Sequence, residues 1–267
     1  MIMDDGSTDN SFESVKELFP DVNIQRFEKQ RGYIYCRNLM LNTTKTPYAI
    51  SLDDDAEIMT ADACERITKH FENNPECGAI AFRIFWGAEL PVNTQEADTN
   101  IKQVKSFIGC GHAWNMKAWK DIPQYPEWFE FYGEENYASV ELFKKGWQVQ
   151  YNPAILMHHR VDMQKRKAAE LESIRYKNHL RAGLFIIALF HPAGKLLRTF
   201  LSSLWQQFKS RLIKEKKLFL TLVIFEVLLS VIRHLNYIIK YRNPYSPSEW
   251  EKWKAIAEPV TYWNASK

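Results

Sequence analysis

Three adjacent carboxylates, Asp53-Asp54-Asp55, follow the apolar run Tyr48 to Leu52. Like charges this close repel, at a cost of roughly 1–4 kcal/mol for a pair about 4 Å apart, depending on the local dielectric. A bound divalent cation turns that repulsion into affinity. Mg²⁺ and Mn²⁺ take hard oxygen ligands and often bridge one or two carboxylates to the phosphates of a substrate. The alternative is a solvated acidic turn that caps a helix, and the apolar strand before the triplet favours the metal. A second acidic turn, Asp4-Asp5-Gly6-Ser7-Thr8-Asp9, follows Met1-Ile2-Met3. Alone it would serve as a turn and N-cap, and it lacks the spacing of an EF-hand. His158-His159 follows a short strand. A neutral imidazole there could add a metal ligand, or the pair could simply pack.

These groups need elements to hold them. Asp9 or Ser11 can cap a helix carrying Val15, Leu18 and Phe19. Strands are expected over Val22 to Phe27, Tyr48 to Leu52, Ala79 to Phe85 and Ser106 to Ile108, the last ending in Gly109-Cys110-Gly111. Gln148 to Tyr151 and Ala154 to Met157 read as two further short strands. Helices are expected over Tyr33 to Asn42, Ala61 to Phe71 and Glu134 to Lys145, the last closed by Gly146. Alternation of this kind predicts a mainly parallel sheet with helices on its faces. Ligands of such sheets bind beyond the carboxyl ends of the strands. Both acidic turns follow strands, so both belong on one rim. Past Arg160 the strand signal fades. Residues 163–190 and 196–240 read as helices, Asn243-Pro244-Tyr245-Ser246-Pro247 breaks the last of them, and a Trp-rich tail follows.

The chain has 267 residues, 46% apolar and 25% charged, a balance that excludes disordered, collagen-like and low-complexity classes. Its net charge of +3 hides a division. Residues 1–159 carry 15 Lys/Arg against 24 Asp/Glu, and residues 160–242 carry 17 against 5. Opposite charge suggests different work for the two parts. Cys36, Cys64, Cys77 and Cys110 form no C-x-x-C pair, so reduced thiols of a cytosolic protein are expected rather than a zinc site or disulfides. Met1 runs into acids with no signal-peptide pattern. The longest apolar run, Leu218 to Leu229, is interrupted by Glu226 and would rise about 18 Å, short of a hydrocarbon core of about 30 Å. The basic clusters Lys165-Arg166-Lys167 and Lys214, Lys216, Lys217 adjoin the apolar stretches Leu184 to Phe190 and Leu218 to Leu229. Such segments can lie on an anionic membrane surface, or pack on the rest of the protein with their charges solvated. Nucleic acid would suit the charge, but no binding motif accompanies it.

Five segments together resemble a known family. Ile2-Met3-Asp4-Asp5-Gly6-Ser7-Thr8-Asp9, Gly32 through Arg37-Asn38, Ser51-Leu52-Asp53-Asp54-Asp55, Phe107-Ile108-Gly109-Cys110-Gly111 and Phe131-Tyr132-Gly133-Glu134-Glu135 resemble, in order, motifs of family 2 glycosyltransferases with the GT-A fold. The likeness is to the rhamnosyltransferase-like enzymes of bacterial surface glycans and runs to about residue 160. Cys36 stands where the family usually has Ala. Glu135 stands where most relatives have Asp, and Tyr137 where many have a second Asp.

The resemblance implies a three-layer α/β/α sandwich over residues 1–160, followed by a helical region over 161–267. It implies a metal-dependent, inverting transfer of a sugar from a UDP or dTDP donor to a glycan or lipid-linked acceptor in surface polysaccharide synthesis. Asp4 would accept a hydrogen bond from the base, Arg37 would lie near the diphosphate, and Asp53 near the ribose. Asp55, with Asp53 and His158, would hold Mn²⁺ or Mg²⁺. Glu135, or Glu134 in its place, would be the general base. Gly109, Gly111 and Trp114 would line the sugar sites, with Trp86, Trp128 and Tyr132 as further stacking candidates. The resemblance also implies work at the cytoplasmic face of the plasma membrane. Relatives usually carry a strand and a Pro-x-Tyr/Phe-Asn turn ahead of the first acidic motif, so a clipped N-terminus is expected. A fragment keeping only part of the nucleotide and metal site is then the alternative function. A processive synthase is disfavoured by the lack of a Gln-x-x-Arg-Trp motif, and a nucleotidyltransferase by the lack of a Gly-rich phosphate loop.

Overall fold

A computed structural model describes residues 1–94, 100–162, 169–210, 220–259 and 263–264 of the chain. The order is β1 (Ile2–Asp4), α1 (Ser11–Leu18), β2 (Ile24–Arg26), α2 (Tyr33–Thr43), β3 (Tyr48–Leu52), β4 (Ala56–Ile58), α3 (Ala63–Asn73) and β5 (Cys77–Gly87). Then come β6 (Lys102–Val104), β7 (Gly111–Asn115), α4 (Met116–Asp121), α5 (Glu134–Lys144) and β8 (Gln148–Arg160). The helices α6 (Ala169–Phe190), α7 (Ala193–Phe208), α8 (Leu220–Arg233), α9 (Leu235–Tyr241) and α10 (Pro247–Ala255) follow, and β9 (Trp263–Asn264) closes the chain.

The main sheet runs β3-β7-β5-β8-β4, with β6 also on β8 and β9 on β5. Its centre is β5, a near-continuous apolar strand flanked by β7 and β8. Side chains alternate across a strand. Ala79 and Ala81 therefore meet Trp114, Trp119 and Phe129 on one face, while Ile80, Phe82 and Ile84 meet Ile67 and Phe71 of α3 on the other. The spacing of Ala63, Ile67, His70 and Phe71 puts one face of α3 inside. Asp62–Arg66 and Glu65–Lys69 pairs line its solvent side. Burying a side chain such as Phe71 contributes about 2–3 kcal/mol.

Four expectations change. The sheet is mixed rather than mainly parallel: β5 pairs β8 in parallel, but β7 and β4 run antiparallel to their neighbours. Residues Ser106 to Ile108 are not a strand. The strands lie on either side, in β6 and β7, and the glycines read as the end of one strand instead introduce the next. The two strands expected over Gln148–Met157 are one, with a register shift opposite Phe82/Arg83 that takes up the stretch around Pro153. Proline has no N–H for the ladder, so a bulge accommodates it. Finally, β1 and β2 pair in parallel as a two-stranded sheet separate from the main one.

The helices after Arg160 share the core of the sheet. Phe185, Leu189 and Phe190 of α6, with Ile238 and Tyr245, belong to the cluster built around Trp114 and Trp119. Asn243 donates to the buried Glu141 of α5 through its side-chain amide. A Ser246–Glu249 capping box with Pro247 in the first turn starts α10. The clusters Lys165-Arg166-Lys167 and Lys214, Lys216, Lys217 lie outside the described residues.

Candidate active site

The first acidic turn leaves β1 at Asp4, which is buried. Its Oδ1 accepts the Ser7 N–H at 2.8 Å, and Arg26 Nε lies 3.4 Å from Oδ2. Burial pushes the Asp4 carboxyl up, but the Ser7 hydrogen bonds and the Arg26 charge outweigh it and hold the group below its ordinary range. Oδ2 is buried with no hydrogen-bond donor. A buried, ionised acceptor of this kind suits an incoming N–H. Asp5 faces the other way, accepting the N–H groups of Arg31 at 2.7 Å and Gly32 at 3.0 Å. Gly32 has φ of +98° and opens α2.

Helix α2 ties the two acidic turns together. Asp5 holds its N-terminus, and one turn on, the buried Arg37 is bonded to Asp53. The guanidinium lies over the Tyr33 ring, 4.5 Å from its centroid. Residues i and i+4 share a helix face, which makes Tyr33 a platform for Arg37.

Beyond β3, the chain turns through the acids into β4, which pairs β8 with Ala56 opposite His159 and Glu57 opposite His158. Consecutive strand residues point to opposite faces, so only one histidine can meet Asp55. It is His159: its Nε2 lies 2.9 Å from Asp55 Oδ1. Asp53, Asp55 and His159 each offer a ligand atom, all within 4.8 Å of one another. His158, the expected ligand, is instead turned away, with Nδ1 3.0 Å from Glu57 Oε1 and Nε2 3.0 Å from the Gly87 carbonyl. Two carboxylates and an imidazole are a donor set that fits a divalent cation. The Trp86 indole N–H donates to His159 Nδ1 at 2.8 Å. The neutral ring then carries its own proton on Nε2, toward Asp55; to hold a cation through Nε2 the ring would have to carry that proton on Nδ1 instead, giving up the Trp86 hydrogen bond.

The third part is the start of α5. Glu130 and Tyr132 have φ of +64° and +70°, and Gly133 has +88°. Non-glycine residues held at positive φ cost about 1 kcal/mol or more each. Arg181 of α6 braces this turn, donating to Glu130 Oε2 at 2.5 Å and to the Phe129 carbonyl at 2.8 Å. A Cβ on Gly133 would sit 2.8 Å from Ala182 Cβ. The turn presents Glu134 and Glu135 as neighbours. Glu134 is buried, with Oε2 unpartnered. Burial, then the adjacent Glu135, pushes its carboxyl well above the ordinary range. Glu135 is half-buried and reaches Gly109, where a Cβ would overlap its Oε1 and lie 3.2 Å from the Tyr33 hydroxyl. Burial raises its carboxyl too, with Arg37 opposing.

Arg37, Asp53, Asp55, Gly109 and Glu135 therefore gather around one region, joined there by Tyr33, Trp86 and His159. Trp114 is not at the surface. It is fully buried, edge-on to Phe107, Trp119 and Tyr125, so it cannot stack on a sugar. Gly111 is buried against Met157, and Trp128 packs on Phe185 and Tyr237. Of the four aromatic candidates, Trp86 adjoins the candidate metal group, through His159. Tyr33 and Arg181 went unnoticed in the sequence. The spacing of Tyr33 to Arg37 on one helix face was the available signal for the first, and nothing local marks the second.

Residues 1–123 match the family model described as glycosyl transferase family 2. No curated protein matches the chain. Among solved structures, GalNAc-T7 with UDP, GalNAc and Mn²⁺ is similar at 12% identity and a TM-score of 0.56, covering 72% of this chain and 41% of its own. The mannosyltransferase PcManGT from Pyrobaculum calidifontis, in complex with GDP-Man and Mn²⁺, is 14% identical over 94% of this chain and 68% of its own, at a TM-score of 0.53. S. aureus TarS 1-349 is 14% identical over 96% of this chain and 72% of its own, at 0.55. The chain thus spans about two fifths of the first of these and about two thirds or more of the others. The α/β fold with its central sheet matches the GT-A glycosyltransferase fold of these structures, and in this chain a helical region follows it.

Proposed function

We propose, on the match of residues 1–123 to the model of glycosyl transferase family 2, that the chain transfers a sugar, with inversion, from a UDP or dTDP donor to a hydroxyl of a glycan or lipid-linked acceptor in surface polysaccharide synthesis. The observation that carries the proposal is the convergence of Asp53, Asp55 and His159 within 4.8 Å, beside the Arg37–Asp53 pair. Two of the similar structures hold a nucleotide or nucleotide sugar together with Mn²⁺.

Asp4 accepts the imide N–H of the base through Oδ2, which is paired with the Arg26 charge but accepts no hydrogen bond. Arg37, fixed by Asp53 and Tyr33, keeps Asp53 oriented and places positive charge beside the diphosphate. Asp53, Asp55 and His159 would hold a divalent cation, and the chemistry it would supply is Lewis-acid stabilisation of the nucleoside diphosphate leaving group. Glu135 takes the proton of the acceptor hydroxyl as that oxygen attacks the anomeric carbon. The bond to the diphosphate oxygen breaks with its electron pair, and attack from the opposite face inverts the centre. A positioned carboxylate base contributes about 10²–10⁴-fold. Glu135 is preferred to Glu134 because it opens toward Gly109, whereas Glu134 is sealed. All four cysteines are unpaired, in keeping with a reducing compartment and the cytoplasmic side of a membrane.

The test is hydrolysis and transfer with UDP- and dTDP-sugars, with and without Mn²⁺. Turnover that needs the metal and is lost in Asp55→Ala is expected. No metal-dependent turnover with any donor refutes the proposal and leaves the non-catalytic alternative.

A further inference from the structure

Helix α7 carries Leu197, Leu201, Trp205 and Phe208 at spacings of four, four and three, so they form one stripe. All four are exposed, from 41% for Phe208 to 70% for Leu197. The inner face of α7 is already satisfied, because Phe200 and Leu204 pack against Tyr176, Leu184 and Val227. A second stripe runs along α8 into α9 through Leu222, Phe225, Ile232 and Ile239, each at least 60% exposed. A cleft of about 300 Å³ lined by Leu201, Leu204, Trp205, Phe208 and Ile224 joins the two helices. Single exposed apolar residues are ordinary, but contiguous patches mark interaction surfaces.

The charge around these stripes identifies the partner. The described residues of 191–242 hold six Lys/Arg and one Glu. That acid, Glu226, is bonded to Lys177 at 2.6 Å. Lys195, Arg198, Lys209, Arg233 and Lys240 are exposed along the same helices. We infer that α7 and the α8–α9 pair form a docking surface for an anionic phospholipid bilayer. The apolar stripes enter the acyl boundary and the cations meet the headgroups. A second copy of the chain would set two strongly basic surfaces against each other, which like-charge repulsion opposes. The helices lie along the bilayer rather than cross it. No single described helix is long and apolar enough to span, the α8–α9 pair that would reach is bent by 57°, and its Val223, Val227 and Ile238 are buried on the protein side.

Co-sedimentation of the full chain with vesicles of phosphatidylcholine, with and without phosphatidylglycerol, tests this. The chain should pellet with the anionic vesicles and be released by salt. Trp205→Glu with Phe225→Glu should weaken binding by about tenfold or more, because two exposed apolar groups are replaced by charges that an anionic surface repels. Both sites are on the surface, so the thermal midpoint should hold. Arg198→Glu with Lys209→Glu provides a second variant that leaves the apolar stripes intact, and it should shift binding toward lower salt. Absence of binding to anionic vesicles at low salt, or equal binding by both variants, overturns the inference. So does sedimentation showing a dimer that the Trp205→Glu variant dissociates, with no vesicle binding. None of these substitutions touches the donor site, so loss of vesicle binding with intact donor hydrolysis separates this inference from the proposed reaction.

Discussion

At the residue scale, single atoms decide roles. His158 and His159 are equivalent by type, but the pairing of β8 with β4 sends them to opposite faces, and only His159 meets Asp55. Exchanging His159 for Ala should weaken Mn²⁺ binding about 10–100-fold, while His158→Gln should leave it within about twofold; isothermal titration with the metal measures both. Gly109 is needed for what it lacks, since a Cβ would overlap Glu135 Oε1. Gly109→Ala should lower transfer roughly 10²-fold by displacing the base, with donor KM little changed in steady-state kinetics. That Arg37, Asp53, Asp55 and Glu135 lie near one another was legible, because their order along the chain matches a known set of motifs. His159 was not separable from His158, because strand register is a property of the pairing and not of either residue. Trp114 misled for a related reason: an aromatic ring serves a core as readily as a sugar.

At the element scale, α5 and the turn before it carry the strain. Glu134 takes up a buried position with a carboxyl that burial raises well above its ordinary 4.5. A raised folded value means the native state favours the protonated form. That contribution is complete below about pH 4.5 and is lost as pH rises through the folded value. Glu134→Gln should therefore stabilise the protein at neutral pH by about 1 kcal/mol, or roughly 2–4 °C. The gain should vanish in melts at about pH 4. Glu135 is shifted in the same direction. It acts as a base only when ionised, so the acid limb of kcat/KM should lie above the ordinary carboxylate range and move in Glu135→Asp. Strand positions were read well where a run is apolar throughout, as in β3 and β5. They were misread where glycines begin a strand, as in β7, or where a proline bulge divides one, as in β8.

At the scale of the whole molecule, the region after Arg160 supports the site rather than merely adjoining it. Arg181 spans from α6 to the positive-φ turn, and Phe185, Leu189 and Phe190 complete the core beneath it. Arg181→Ala removes the charged donor to the Phe129 carbonyl and to Glu130, leaving that carbonyl only the Phe131 N–H, and should cost about 2 kcal/mol, seen in urea unfolding, together with a fall in kcat larger than the change in donor KM. The division of charge between the two parts was plain in the sequence. That the helices share one core with the sheet was not, because it depends on contacts between residues far apart in the chain, such as Phe129 and Phe185.

The central claim is that Asp53, Asp55 and His159 form the cation site on which donor binding depends. Titration of UDP into the protein with and without Mn²⁺ tests it most directly, run in parallel on the native chain, Asp55→Asn, His159→Ala and His158→Gln. Binding should depend on Mn²⁺, fall at least about tenfold in the Asp55 and His159 variants and persist in the His158 variant. Binding of equal strength without the metal, or loss in His158→Gln with retention in His159→Ala, would contradict the claim.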